Sequence, residues 1–268
     1  MPNAKDNPNV GYERIILAGN TGTGKTTQIL TLPGKKFVYI FDPNCLRSIR
    51  GHDIEYEEFL PEVTELDSTL KGFNKGARDD KPASEREPTL YLRWVEDLNK
   101  REQDGKFKDY DWIIFDSLTF LAQSLMDRQL YINNRYGKVE DLGDYRVVGS
   151  KLSDVFRTIT SLPVNIYATG HLTSYQDEKT KKTEVQLQLP GKARVMLPLV
   201  CTNIWLAMAP MGEEGKFKVQ TRPDQRGLQT IRSTISGLKF QEDVTIADFT
   251  SPEDYGIGAL LARDIKEI

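Results

Sequence analysis

The 268-residue sequence predicts an α/β fold, a mostly parallel central sheet flanked by helices. Three observations lead there. Short continuous apolar runs alternate with stripes of apolar residues at helical spacing, the order expected of strand, helix, strand. A glycine-rich turn, Gly19-Asn20-Thr21-Gly22-Thr23-Gly24-Lys25-Thr26-Thr27, sits between one apolar run and the next apolar pattern. A run of four large apolar residues, Trp112–Phe115, ends in Asp116. Strands of a parallel sheet are covered on both faces, so they read as unbroken apolar runs rather than alternating ones.

The first run, Arg14–Ala18, predicts the strand that leads into the glycine turn. A short helix is expected over Thr26–Leu32, stopped by Pro33-Gly34. Further strands are expected at Phe37–Phe41, Trp112–Phe115, Val164–Thr169 and Asn203–Met208, with a sixth over the alternating Lys216–Thr221. Helices are expected over Leu90–Lys100, Leu118–Leu130 and Tyr145–Leu162; the last carries Tyr145, Val148, Leu152, Val155, Phe156, Ile159 and Leu162 as one stripe. Residues 1–11 are polar and read as a flexible arm. Residues 12–268 read as a single domain, interrupted by a charged mobile insertion at residues 64–87.

The glycine turn carries the chemistry. It fits G-x-x-x-x-G-K-[ST], with Gly19, Gly24, Lys25 and Thr26 at the fixed places. Glycines permit backbone angles that side chains forbid, so the loop's N–H groups can turn inward around a polyphosphate. Lys25 suits the β- and γ-phosphates of ATP, and the Thr26 hydroxyl suits Mg²⁺. The expected nucleotide-binding residues are Gly19, Asn20, Thr21, Gly22, Thr23, Gly24, Lys25, Thr26 and Thr27. Asp116, at the carboxyl end of a buried strand, is the expected second metal-holding residue, a place where ligands gather in α/β sheets. Asp116 or Ser117 also fits the N-cap of the helix that follows.

Bulk composition narrows the classes. A net charge of −3 does not indicate a globally basic nucleic-acid binder, although a local basic patch is compatible with it. The two cysteines, Cys45 and Cys201, have no metal-like spacing and read as reduced thiols. Two histidines do not furnish a histidine-based metal centre. No secretory segment and no membrane span is expected.

The glycine loop, the apolar strand ending in Asp116 and the segment Ala168-Thr169-Gly170-His171 together resemble the RecA-like P-loop ATPases of the AAA/ASCE type. Among these the sequence is similar to small phage-encoded ATPases related to RecA and RadA, some of which act in single-strand annealing and recombination. Phe41-Asp42-Pro43-Asn44, Leu189-Pro190-Gly191-Lys192 and Val219–Arg232 extend the resemblance over roughly residues 12 to 235.

The resemblance implies a RecA-like core, ATP and Mg²⁺ as cofactors, and a cytoplasmic location, which is the host cytoplasm for a phage-encoded chain. It places a γ-phosphate sensor at Thr169–His171, with His171 the candidate. It places a DNA-contacting loop over Leu172–Arg194, with Tyr175, Lys179, Lys181, Lys182, Lys192 and Arg194 as candidates. Lysines suit phosphates and Tyr175 suits a base, while the interleaved acids also fit an exposed hairpin. It implies that an arginine, here Arg232, reaches a neighbouring subunit's γ-phosphate in a homo-oligomer. The family often has lysine two residues before; here Thr230 stands there.

The glutamate that usually orients the attacking water is also absent. Asn44 occupies its place, leaving Asp42 as the nearest carboxylate and implying slow basal turnover. The expectation is a Mg-ATP-dependent, single-stranded-DNA-binding ATPase of recombination or replication. The alternatives are a nucleotide-gated module that recruits a replication or recombination protein, and a small-molecule kinase.

Overall fold

The computed structural model describes residues 11–61, 87–176, 183–211, 215–224 and 228–266. The expected arm before Gly11 and nearly all of the expected insertion at 64–87 lie outside the described residues. So do Lys179, Lys181 and Lys182.

An eight-stranded sheet forms the centre. Its strands are β1 (Arg14–Ala18), β2 (Lys36–Ile40), β3 (Glu55–Glu58), β4 (Trp112–Asp116), β5 (Asn165–Gly170), β8 (Asn203–Met208), β9 (Lys218–Gln220) and β10 (Gln241–Asp243), in the spatial order β10-β9-β8-β1-β5-β4-β2-β3. From β3 to β8 every pairing is parallel; β9 and β10 add antiparallel pairings at one edge. β6 (Leu172–Gln176) and β7 (Thr183–Leu187) form a separate antiparallel hairpin.

Strand periodicity divides the core into two layers. Ile16, Ala18, Phe37, Tyr39, Ile113, Phe115, Ile166 and Ala168 face one way. They pack on Trp94 of α2 (Leu90–Gln103), Leu121 and Leu125 of α3 (Leu118–Ile132), and Leu152 and Phe156 of α4 (Leu142–Ile159). Ile15, Leu17, Val38, Ile40, Ile114 and Tyr167 face the other way. There they meet Cys45 and Ile49 of α1 (Cys45–Ile49), Ile29 and Leu30, and Ile257 and Leu260 of α6 (Gly256–Lys266). The runs that read as buried strands are buried on both faces, which is why they lack alternation.

Three expectations change. The helix expected over Thr26–Leu32 is a 3₁₀ turn over Thr27–Thr31. Leu32, preceding Pro33, is extended (φ −66°, ψ 133°), so the chain leaves the helical region after one turn. The helix expected from Tyr145 begins three residues earlier, because Asp141 and Asp144 form a reciprocal capping box. Arg135 pairs with both of these carboxylates. The sixth strand shortens to Lys218–Gln220. β3, with the sequence Glu55-Tyr56-Glu57-Glu58, and β10 were not legible as strands; β3 is an exposed charged edge, a composition that discourages pairing with other chains. α5 (Ala193–Leu199) follows the hairpin.

Candidate functional site: a phosphate loop over a clamped aspartate

Register brings the site together. Ala18 of β1 lies opposite Gly170 of β5, and Ile40 of β2 opposite Asp116 of β4. Gly19, Asp42, Asp116 and His171 therefore gather at the carboxyl rim of the sheet. β5 lies between the strand that feeds the glycine loop and the strand that ends in Asp116.

The loop is tied down at several points. Gly19 N–H donates to Gly170 O (3.0 Å) and the Thr23 hydroxyl to Asn20 O (2.8 Å). A Cβ at Gly19 would lie 2.9 Å from Ala207 O of β8, so only glycine fits that approach. Gly22 and Gly24 both have φ of +80°, in the left-handed region open to glycine. A Cβ at Gly24 would lie 3.2 Å from the ring of Phe217. Lys25 turns into the loop, where Nζ donates to Gly19 O (2.9 Å) and Asn20 O (2.8 Å). Burial pushes its ammonium pKa down, opposed by the charges of Asp116 and Asp42. The Tyr167 hydroxyl braces the loop from beneath, donating to Lys25 O (2.9 Å).

Asp116 is almost fully buried, and its carboxylate is held from several sides. Thr26 Oγ1 donates to Oδ2 (3.0 Å), Thr169 Oγ1 donates to Oδ1, and Cys45 adds a side-chain hydrogen bond. Burial pushes the Asp116 pKa up; these three hydrogen bonds pull it down. The Asp116–Ser117 peptide is cis. Asp116 O accepts from the backbone N–H groups of Phe41 (2.6 Å) and Asp42 (2.9 Å), so the end of β2 is locked to the end of β4.

Asp42 and Asn44, both expected near the attacking water, follow directly. The Asp42 carboxylate accepts from Asn44 N–H (2.8 Å), and its charge is felt at Lys25, Asp116 and His171. Asn44 is exposed at the start of α1, with no side-chain capping bond. His171 follows β5; its N–H donates to Thr119 Oγ1 (3.0 Å) and its ring meets Phe120 edge-on at 5.9 Å. Burial first, and then the charge of Lys25, lowers the imidazole pKa.

The other expected residues lie elsewhere. β6 starts immediately after His171, and Gln188 N–H donates to His171 O (2.9 Å), so the β6–β7 hairpin is rooted on that histidine. Tyr175 lies in β6 opposite Glu184. Lys192 and Arg194 are exposed around the start of α5. Arg232 is not brought to the loop of its own chain. Its backbone bridges Ile204, and its guanidinium is directed to Leu199 O (3.5 Å), toward the end of the sheet opposite the glycine loop.

Cys45, Tyr167, Thr119, Gln28 and Phe217 shape the site without any sequence motif to announce them. Thr169 was marked by the Ala168–His171 resemblance as part of a γ-phosphate sensor, but not as a partner of Asp116.

The donor set fits a Mg²⁺-bound nucleotide. Thr26 and Asp116 offer hard oxygens 3.0 Å apart directly beneath the phosphate loop. Among the described residues no group of three or more His, Cys, Asp or Glu could hold a metal.

A sequence-family profile described as an AAA domain matches residues 12–215, and the chain belongs to that family. With its phosphate loop, buried carboxylate and intervening strand, it carries a P-loop ATPase domain on a mostly parallel sheet. No curated protein sequence matches the chain. Among solved structures it is similar to a KaiC-like protein of the hyperthermophilic archaeon Pyrococcus horikoshii OT3, at 14% identity and a TM-score of 0.44, over 91% of this chain and 89% of that one. The family match and the strand order, not this likeness, define the class. No helix among the described residues is long and apolar enough to cross a membrane.

Proposed function

We propose that the chain is a Mg-ATP-dependent ATPase that binds single-stranded DNA and works as a homo-oligomer in phage recombination or replication. ATP binds along Gly19–Thr27. Lys25 exchanges the carbonyls of Gly19 and Asn20 for phosphate oxygens, and Thr26 and Asp116 would hold Mg²⁺. When bound, the metal would supply charge stabilisation to the transferring phosphoryl group. Water attacks the γ-phosphorus, the bond to the β-phosphate oxygen breaks, and ADP and phosphate leave. Asp42 is the carboxylate that orients that water. Asn44 can hold water but cannot take its proton, so turnover without DNA is slow. Arg232 acts on a neighbouring subunit's nucleotide, consistent with its direction away from its own loop.

One observation carries the DNA reading. β5 runs from Thr169, bonded to Asp116, through His171 and straight into β6, with no intervening loop. A change at the γ-phosphate position thus has a short covalent path to the hairpin, and the sequence from β6 to α5 carries Tyr175, Lys179, Lys181, Lys182, Lys192 and Arg194. The test is titration of a fluorescent single-stranded oligonucleotide with and without a non-hydrolysable ATP analogue. Nucleotide-enhanced binding that falls in Lys192→Ala/Arg194→Ala supports the reading; binding indifferent to both refutes it.

Asn44 favours a second reading, a nucleotide-gated module that recruits a replication or recombination protein with little turnover. It predicts ATP binding without hydrolysis even when DNA is present.

A further inference from the structure

The family match ends at residue 215, yet the phosphate loop is held from behind by residues beyond it. Gln28, one residue past the loop and 4% exposed, joins two distant segments through its carboxamide. Its Nε2 donates to Val244 O (2.8 Å), just after β10, and its Oε1 accepts from Ile257 N–H (3.0 Å) in the first turn of α6. Thr31 Oγ1 donates to Gln28 O (2.8 Å) and accepts from Gly258 N–H (3.2 Å). A Cβ at Gly256 would sit 2.3 Å from Gln28 Oε1, and one at Gly258 would sit 1.8 Å from Thr31 O. These two glycines let the helix backbone press against the turn.

Phe217 seals the outer side. Its ring rests on Gly24, while its backbone pairs with Val244 N–H (2.9 Å) and Thr245 Oγ1 (3.0 Å).

A single 3₁₀ turn has little stability of its own, because a helix nucleus fixes several residues for very few hydrogen bonds. The turn at Thr27–Thr31 must take its position from what it packs on, and it packs on α6. We propose that Gln28 is a positioning residue for the phosphate loop, and that Phe217, Val244 and α6, acting through Gln28 and Thr31, set nucleotide affinity. This rests on the reading of Gly19–Thr27 as an ATP site. By linkage, bound nucleotide tightens α6 docking as much as docked α6 tightens nucleotide binding.

The full-length chain tests this through Gln28→Leu, Gly258→Ala and the milder Thr31→Val. The control is Asp144→Ala, which destabilises α4 without touching the loop. A fluorescent ADP derivative is titrated with Mg²⁺ at a temperature where circular dichroism shows each variant folded. The expected result is a loss of affinity of about tenfold in Gln28→Leu and Gly258→Ala, a smaller loss in Thr31→Val, and wild-type affinity in Asp144→Ala. Gln28→Leu matching the control in affinity would overturn the proposal. If wild type itself binds no nucleotide, the proposed function fails, and hydrogen exchange decides the inference separately. Faster exchange of the amides at residues 19–27 in Gln28→Leu than in Asp144→Ala supports it; equal protection overturns it.

Discussion

Replacing Thr169 by valine removes one hydroxyl and keeps the shape of a side chain with no solvent exposure. Asp116 Oδ1 loses the donor that holds it, while Thr26 and Cys45 remain. A hydrogen bond to an ionised partner contributes about 1.5–3 kcal/mol. That is about the stability the variant should lose where Asp116 is ionised, and without that donor its carboxyl should titrate higher than in wild type.

The sign follows from burial. Asp116 already has a raised folded-state pKa, so the folded protein holds this proton more tightly than the unfolded chain does. Ionising it subtracts stability as pH rises from the unfolded toward the folded value. Thr169→Val widens that window upward, and its destabilisation is larger above it than below. Urea unfolding at pH 5 and pH 8 measures the stability difference, and Mg²⁺-dependent nucleotide binding across pH measures the shift. The expected variant is destabilised more at pH 8, and its binding curve moves to higher pH. Equal destabilisation at both values together with an unmoved binding midpoint would refute the reasoning that Thr169 stabilises the ionised carboxylate.

Three further outcomes follow from the same geometry. Asn44→Glu supplies the missing carboxylate from an exposed position and should raise basal phosphate release by at least about tenfold, since a positioned base contributes 10²–10⁴; unchanged turnover would place the water elsewhere. Gly24→Ala puts a Cβ at φ +80° and 3.2 Å from the Phe217 ring, and should weaken nucleotide binding by roughly 1–2 kcal/mol, read by calorimetric titration. His171→Ala should leave nucleotide affinity within about twofold of wild type while abolishing any nucleotide dependence of DNA binding, read by fluorescence anisotropy.

The parallel core was legible because β1, β2, β4 and β5 are buried on both faces and so cannot hide their apolar runs. The glycine loop was legible because its backbone demands glycine at fixed places, as the positive φ at Gly22 and Gly24 shows. What surrounds it was not. Nothing local marks Thr169 as the partner of an aspartate 53 positions earlier. Gln28 looks like an ordinary polar residue in an apolar stretch until Val244 and Ile257 arrive beside it. The turn over Thr27–Thr31 carries apolar residues that suit a helix, and only Pro33 with its effect on Leu32 shortens it. Arg232 fits a motif position, but its direction along β8 is a tertiary fact.

The central claim is a phosphate loop whose hydrolysis is coupled to single-stranded DNA. Steady-state phosphate release from Mg-ATP, with and without single-stranded DNA, on wild type and Lys25→Ala, tests it most directly. The account predicts slow release alone, stimulation by DNA, and loss of both in the variant. ATP binding with no release under either condition, or release that DNA does not alter, would contradict it.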